Sequence, residues 1–116
     1  MTRTVLVADD EEFIVDLLAT LLEDEGYTAL RAYDGEQALA LARRHQPHLI
    51  ITDIMMPKMS GTELAARIRA LGNPLGRVPI VLMSAVSGVA LPCGALYLAK
   101  PFNIDHVLAL VARLTG

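Results

Sequence analysis

Three carboxylates, one hydroxyl and one ammonium group follow short apolar runs of this 116-residue chain. The runs 5–8, 49–52, 79–83 and 95–99 lead in turn into Asp9 and Asp10, Asp53, Ser84, and Lys100. If these runs are neighbouring parallel strands, their polar groups meet at the edge where open parallel sheets bind ligands. Clustered carboxylates repel one another without a cation, and carboxylate oxygens are ligands that Mg²⁺ prefers. The pattern therefore predicts a site for magnesium and a phosphoryl group.

The elements that position these groups alternate between strands and helices. Such alternation predicts an α/β fold with a parallel sheet covered by helices on both faces. Apolar β-type runs predict strands over 4–8, 28–32, 48–52, 78–83 and 95–98. Helical patterns predict helices over 11–25 and 35–45, another helix that ends near residue 71, and a helix at the C-terminus. The expected N-caps are Asp34, Asn103, and either Ser60 or Thr62. The first helix carries an apolar stripe of Phe13, Leu17, Leu18, Leu21 and Leu22.

Composition limits the classes of function that this chain can have. A length of 116 residues predicts one domain over 1–116, with 53% hydrophobic residues for its core. The net charge of −3 argues against nucleic acid as a direct partner. Cys93 is the only cysteine, so no internal disulfide is possible and a cytoplasmic, reducing location is expected. The uncharged stretch 78–99 is long enough to cross a membrane, but its glycines and prolines favour two strands instead.

Each candidate residue also has a simpler interpretation when it is taken alone. Asp10 could cap the first helix, Asp53 could be a turn residue, and Ser84 and Lys100 could end strands without a further role. The three histidines, His45, His48 and His106, fall on different elements. We therefore expect them to be surface or helix-end residues and not metal ligands or phosphate donors.

Four segments together resemble the receiver domain of two-component response regulators. They are Asp9-Asp10, the run DIMMPKMSG at 53–61, Ser84-Ala85, and YLAKPF at 97–102. The resemblance covers essentially the whole chain, in order. It implies a flavodoxin-like, doubly wound sheet of five parallel strands in the order 2-1-3-4-5.

The resemblance also implies roles for individual residues. Asp53 is expected to accept a phosphoryl group from a histidine kinase or a histidine-phosphotransfer protein. Asp9, Asp10, Asp53 and the backbone carbonyl of Met55 are expected to hold Mg²⁺. Ser84 and Lys100 are expected to bind phosphoryl oxygens. Such a domain is a signalling phosphoprotein, and it catalyses only its own phosphorylation and dephosphorylation.

A switch follows from the same resemblance. Phosphate on Asp53 is expected to draw Ser84 toward it and to open space into which Tyr97 turns, which changes a partner-binding surface. The family positions that flank the path of attacking water are Met55 and Val86. Since both are apolar, we expect a long-lived phosphoryl group.

The chain departs from the family between Ser84 and Lys100. The interval is short by about half a dozen residues, which is more than one helical turn. We therefore expect the fourth helix of the family to be truncated or irregular, which alters the usual output and dimerisation face. The stretch containing Val86, Val89, Leu91 and Cys93 is expected either to form a patch for a partner or a second copy, or to fold inward over the exposed core.

Two other functions remain open from the sequence. A Mg²⁺-dependent phosphatase would use Asp53 as its nucleophile, but Met55 occupies the position where a second acid would be needed. A pseudo-receiver would bind partners without phosphoryl chemistry, although Asp10, Asp53, Ser84 and Lys100 are all present. The leading expectation is a receiver that binds a downstream partner or passes its phosphate on.

Overall fold

The computed structural model describes residues 2–86, 88, 91 and 94–116. Its strands and helices begin and end within two residues of the predicted bounds. The strands are β1 (Thr4–Ala8), β2 (Thr28–Ala32), β3 (Leu49–Asp53), β4 (Ile80–Ser84) and β5 (Leu96–Ala99). The helices are α1 (Glu12–Asp24), α2 (Gly35–His45), α3 (Gly61–Ala70) and α4 (Ile104–Thr115), and a 3-10 turn at Leu75–Arg77 precedes β4.

All five strands pair in parallel, in the order β2-β1-β3-β4-β5. This order confirms the flavodoxin-like topology that was expected from the resemblance. Ala8 lies opposite Thr52, Asp53 opposite Met83, and Ser84 opposite Ala99. The carboxyl ends of β1, β3, β4 and β5 therefore lie side by side at one edge of the sheet.

Helices cover both faces of the sheet and create two apolar cores. Residues of α2 and α3 pack on one face, around Leu6, Ile50 and Leu82. Residues of α1 and α4 pack on the other, around Val7 and Ile51. Every residue of β3 and β4 is buried, because these central strands contact a core on each face. Side chains of Asp34, Ser60 and Asn103 accept hydrogen bonds at the N-termini of α2, α3 and α4, as predicted.

The buried stripe of α1 differs from the predicted one. Phe13 is 73% exposed, and the buried residues are Val15, Leu18, Ala19 and Leu22. Their spacing of three and four residues places them on one side of the helix. Phe13 precedes Val15 by two residues, so it projects from roughly the opposite side, at about 100° per residue. The assignment of Phe13 to the core was wrong.

The segment between β4 and β5 contains no helix among its described residues. This agrees with the expectation that the family's fourth helix is truncated or irregular. Val86 and Leu91 are exposed, whereas the other two residues of the predicted patch, Val89 and Cys93, lie outside the described residues. Within the ranges that the structure describes, no helix has the length and hydropathy of a membrane span.

Candidate metal and phosphoryl site

Three carboxylates converge at the carboxyl edge of the sheet. Asp9 and Asp10 follow β1, and Asp53 is the last residue of the neighbouring β3. Each offers one carboxylate oxygen, and these oxygens all lie within 4.8 Å of one another. Asp9 is fully buried and Asp53 is 6% exposed, whereas Asp10 is exposed. The predicted neighbouring strands thus bring the predicted acidic residues together.

Lys100, which directly follows the carboxyl end of β5, contacts the same cluster. Its Nζ lies 2.7 Å from Asp9 Oδ2, 3.4 Å from Asp53 Oδ1 and 3.8 Å from Glu11 Oε1. The Lys100 backbone N–H donates to the Ser84 carbonyl at 2.9 Å, which fixes the start of this segment against the end of β4. The peptide bond between Lys100 and Pro101 is cis. The ammonium group therefore ion-pairs with both buried carboxylates.

Negative charge exceeds positive charge in this cluster, and burial together with this charge shifts the pKa values of Asp10, Asp53 and Lys100. Burial, together with the negative charge of Asp9, raises the pKa of Asp53 to about 6, although Lys100 opposes the change. Burial and the neighbouring Asp9 also raise the pKa of Asp10. Burial alone would lower the pKa of Lys100, but its bonds to Asp9 and Asp53 outweigh burial and raise it. An ammonium that stays charged leaves two carboxylates uncompensated. This donor set of hard oxygen atoms with excess negative charge fits a divalent cation such as Mg²⁺.

Backbone N–H groups hold the two buried carboxylates in place. Glu11 N donates to Asp9 Oδ1 at 3.0 Å, and Ile54 N donates to Asp53 Oδ1 at the same distance. The N-cap of α1 is Glu11, which makes no side-chain cap bond. Asp10 thus precedes the N-cap, because the Asp9 carboxylate takes the first available N–H. The simpler interpretation of Asp10 as a helix cap was wrong.

Ser84 and Tyr97, the predicted switch residues, are directly connected. The Tyr97 hydroxyl donates to the backbone carbonyls of Ser84, at 3.0 Å, and Val86, at 3.1 Å. The Ser84 hydroxyl accepts from Val86 N at 3.0 Å. Tyr97 therefore contacts the end of β4, where Ser84 carries the hydroxyl expected to bind the phosphoryl group, and the start of the segment that follows.

Met55 and Val86 present exposed apolar side chains near this edge. Met55 lies two residues beyond Asp53 in the loop between β3 and α3 and is 72% exposed; Val86 follows Ser84 by two residues and is 62% exposed. Neither side chain has a polar group that could orient a water molecule.

Glu11 is a charged neighbour of the cluster that sequence reasoning missed. Its carboxylate faces Lys100, a contact for which the sequence motifs gave no role. Its position directly after Asp9-Asp10 was the available signal. His48 has a structural role, because its Nδ1 accepts a hydrogen bond from Thr4 N at 3.0 Å. No histidine joins an acidic metal-ligand group within the described part of the chain.

Comparisons with known proteins point to one family. The sequence profile of the response regulator receiver domain matches residues 5–112. The response regulator GtcR of Aneurinibacillus migulanus is 40% identical over 122 residues, covering 98% of this chain and 48% of that protein. The alkaline phosphatase synthesis transcriptional regulatory protein PhoP of Bacillus subtilis is 38% identical over 121 residues, covering 98% and 49%. The chain spans about half the length of these relatives.

Solved structures give the same result for the fold. The chemotaxis response regulator CheY4 of Vibrio cholerae superposes with a TM-score of 0.87 at 30% identity, covering 98% of this chain and 99% of that one. The receiver domain of the Francisella response regulator 1452 superposes with a TM-score of 0.85 at 30% identity, covering 98% and 97%.

Proposed function

Because the chain belongs to the receiver domain family of two-component response regulators, we propose that Asp53 accepts a phosphoryl group from a phosphohistidine. The donor is a histidine kinase or a histidine-phosphotransfer protein. One observation carries this proposal: a nearly buried carboxylate, Asp53, lies within reach of two further carboxylates and of the Lys100 ammonium. This is the charge arrangement that phosphoryl transfer requires, since such transfer depends on positioning and charge neutralisation.

The transfer itself is a displacement at phosphorus. A carboxylate oxygen of Asp53 forms a bond to phosphorus while the bond from phosphorus to the donor's imidazole nitrogen breaks, and the imidazole keeps the electron pair of that bond. Asp53 must be ionised to attack, and with a pKa of about 6 it is mostly ionised at neutral pH. Lys100 is placed to pair with a phosphoryl oxygen, and Ser84 to donate a hydrogen bond to another.

Asp9, Asp10, Asp53 and the Met55 carbonyl are the groups that would hold Mg²⁺. When it is bound, Mg²⁺ supplies positive charge against the phosphoryl oxygens. The protein's own contribution is a rigid carboxylate pair, since Asp9 and Asp53 are each fixed by a backbone N–H.

Phosphorylation is expected to change the surface around Tyr97. A phosphoryl group that draws in the Ser84 hydroxyl competes with the bond from Val86 N, and the carbonyls to which Tyr97 donates then shift. Val86, whose carbonyl accepts from Tyr97, and Leu91 are both exposed, and they belong to the surface that we propose for a downstream partner or a second copy. A groove of about 430 Å³ between α1 and the segment after β5 lies beside Lys100 and offers apolar contacts to the donor. We assign this activity to the cytoplasm, because histidine kinases present their phosphohistidine there and the chain has a single cysteine.

Intact mass spectrometry tests this function directly. The protein is incubated with Mg²⁺ and a small acyl phosphate, and Asp53→Asn is compared with Asp24→Asn, an exposed aspartate that ends α1. We expect one phosphate adduct on the wild type and on Asp24→Asn, and none on Asp53→Asn. No protein should gain an adduct when Mg²⁺ is chelated before the acyl phosphate is added. Continuous release of phosphate would favour a phosphatase instead. No adduct from either an acyl phosphate or a phosphorylated histidine-phosphotransfer protein would favour a pseudo-receiver.

A further inference from the structure

The loop between β3 and α3 packs against the N-terminus of α2. This helix carries none of the three aspartates of the acidic cluster. Met59 of this loop is 6% exposed and belongs to the core beneath α2 and α3. It lies against Gly35, the first residue of α2, so closely that a Cβ at Gly35 would overlap the Met59 carbonyl oxygen and Cβ. The overlap involves backbone atoms of the loop, so an alanine at Gly35 forces the loop and the start of α2 apart.

A second contact joins the same two segments. Asp34, the N-cap of α2, uses Oδ1 to accept from Gln37 N at 2.8 Å, and its Oδ2 lies 3.6 Å from Lys58 Nζ. Lys58 has a φ of 68°, a left-handed conformation that a non-glycine residue adopts at a cost. Lys58 thus faces Asp34, and the residue that follows it, Met59, is buried against α2.

The other end of the loop is fixed to Asp53. Gly61 N donates to the Ile54 carbonyl at 2.8 Å, and Ile54 N donates to the Asp53 carboxylate at 3.0 Å. Met55 lies between these two anchor points and the contact with α2. The position of the Met55 carbonyl thus depends on contacts that lie outside the acidic cluster.

We propose that Gly35, supported by the Asp34–Lys58 ion pair, is a positioning residue that sets the Met55 carbonyl for Mg²⁺ by admitting Met59 against α2. This inference rests on the proposed function, because it assumes that the acidic cluster binds Mg²⁺. Gly35, Asp34 and Lys58 are not among the groups that would hold Mg²⁺. Groups that orient metal ligands in this indirect way typically change metal affinity by roughly 10- to 100-fold when they are altered.

The test measures Mg²⁺ affinity by isothermal titration calorimetry on the full chain. We expect Gly35→Ala to raise the Kd for Mg²⁺ by about 10-fold. Gly72→Ala is the matched control, because a Cβ at Gly72 meets no atom within 4 Å and its backbone is not left-handed. Val111→Ala, in the core under α4, controls for a general loss of stability. Both controls should keep the wild-type Kd.

Hydrogen exchange without metal provides a second readout. We expect Gly35→Ala to speed exchange of the Gly61 amide, which is bonded to Ile54, while leaving the amides of β1 unchanged. Val111→Ala should not produce this local effect, even if it lowers global stability more.

Each outcome either supports or overturns the inference. A folded Gly35→Ala with the wild-type Kd overturns the inference. If Gly35→Ala does not fold, the Kd of Asp34→Asn for Mg²⁺ is measured instead, because asparagine keeps the cap but removes the charge facing Lys58. A Kd raised at least twofold supports the inference, and an unchanged Kd overturns it. If the wild type binds no Mg²⁺, the proposed function fails and this inference fails with it. Equal binding by wild type and Gly35→Ala contradicts the inference alone.

Discussion

Replacement of Asp53 by asparagine should stabilise the metal-free protein at neutral pH. The pKa of Asp53 is raised from 3.8 to about 6 in the folded state, so folding favours its protonated form. A carboxyl group with a raised folded-state pKa does not lower the free energy of unfolding at a pH below its unfolded pKa. Above that pH the free energy of unfolding falls, until the pH passes the folded pKa. The ionised side chain therefore opposes folding at pH 7.5, and a neutral asparagine of the same shape avoids that cost.

The magnitude follows from the difference in pKa. About 2 pKa units at 1.36 kcal/mol each correspond to about 3 kcal/mol at pH 7.5, once Asp53 is fully ionised in both states. At pH 5 the folded carboxyl is still mostly protonated, and the penalty is about 1.5 kcal/mol. Since Asp53 is 6% exposed, solvent screens this effect only weakly. The free energy of unfolding of Asp53→Asn minus that of the wild type should therefore increase from pH 5 to pH 7.5.

Urea unfolding in the presence of a chelator, followed by circular dichroism at several pH values, measures this difference. Asp24→Asn removes one exposed carboxylate and should change the free energy of unfolding by less than about 0.5 kcal/mol at every pH. Added Mg²⁺ should stabilise the wild type and bring it closer to Asp53→Asn, because an ion that binds only the folded state stabilises it. A less stable Asp53→Asn at pH 7.5, or a difference that does not increase with pH, would refute the electrostatic argument.

Three further predictions concern neighbouring residues. Lys100→Met should lower the free energy of unfolding by about 3 kcal/mol, because it leaves the fully buried Asp9 without its partner, and urea unfolding measures this loss. Tyr97→Phe should cost about 1 kcal/mol and speed amide exchange at Val86, since it removes the hydroxyl that bonds the Ser84 and Val86 carbonyls. Met55→Glu should shorten the lifetime of the aspartyl phosphate in a phosphate-release assay, because a carboxylate there can orient the attacking water; an unchanged lifetime would contradict this role for Met55.

The sheet could be predicted because its signals are local. The strands β3 and β4 are buried on both faces and read as continuous apolar runs, and Asp34, Ser60 and Asn103 mark the starts of helices. Once these strands are parallel, the carboxylates at their ends must meet. The acidic cluster could therefore be expected before any contact was known.

Other features depend on packing that no local pattern encodes. Phe13 lies outside the α1 stripe because the orientation of α1 is set by Val15 and Leu18 against the sheet. The approach of Met59 to Gly35 joins segments that are 24 positions apart in the sequence, and only the assembled fold brings them together. The contact of Glu11 with Lys100 likewise requires β1 and β5 to be placed on either side of β3 and β4.

The excess negative charge connects the stability of this fold to its proposed chemistry. Asp53 lies in the buried edge of the sheet because β3 is apolar on both faces and ends there, and not because a carboxylate is stable in that place. The same burial that raises its pKa keeps competing water away and strengthens its interaction with Lys100. A divalent cation or a protonated Asp53 relieves the repulsion, and a phosphoryl group adds negative charge that Lys100 and the cation must offset. Binding of Mg²⁺ and folding should therefore reinforce each other, and a variant that removes the Asp53 carboxylate should gain stability as it loses metal affinity.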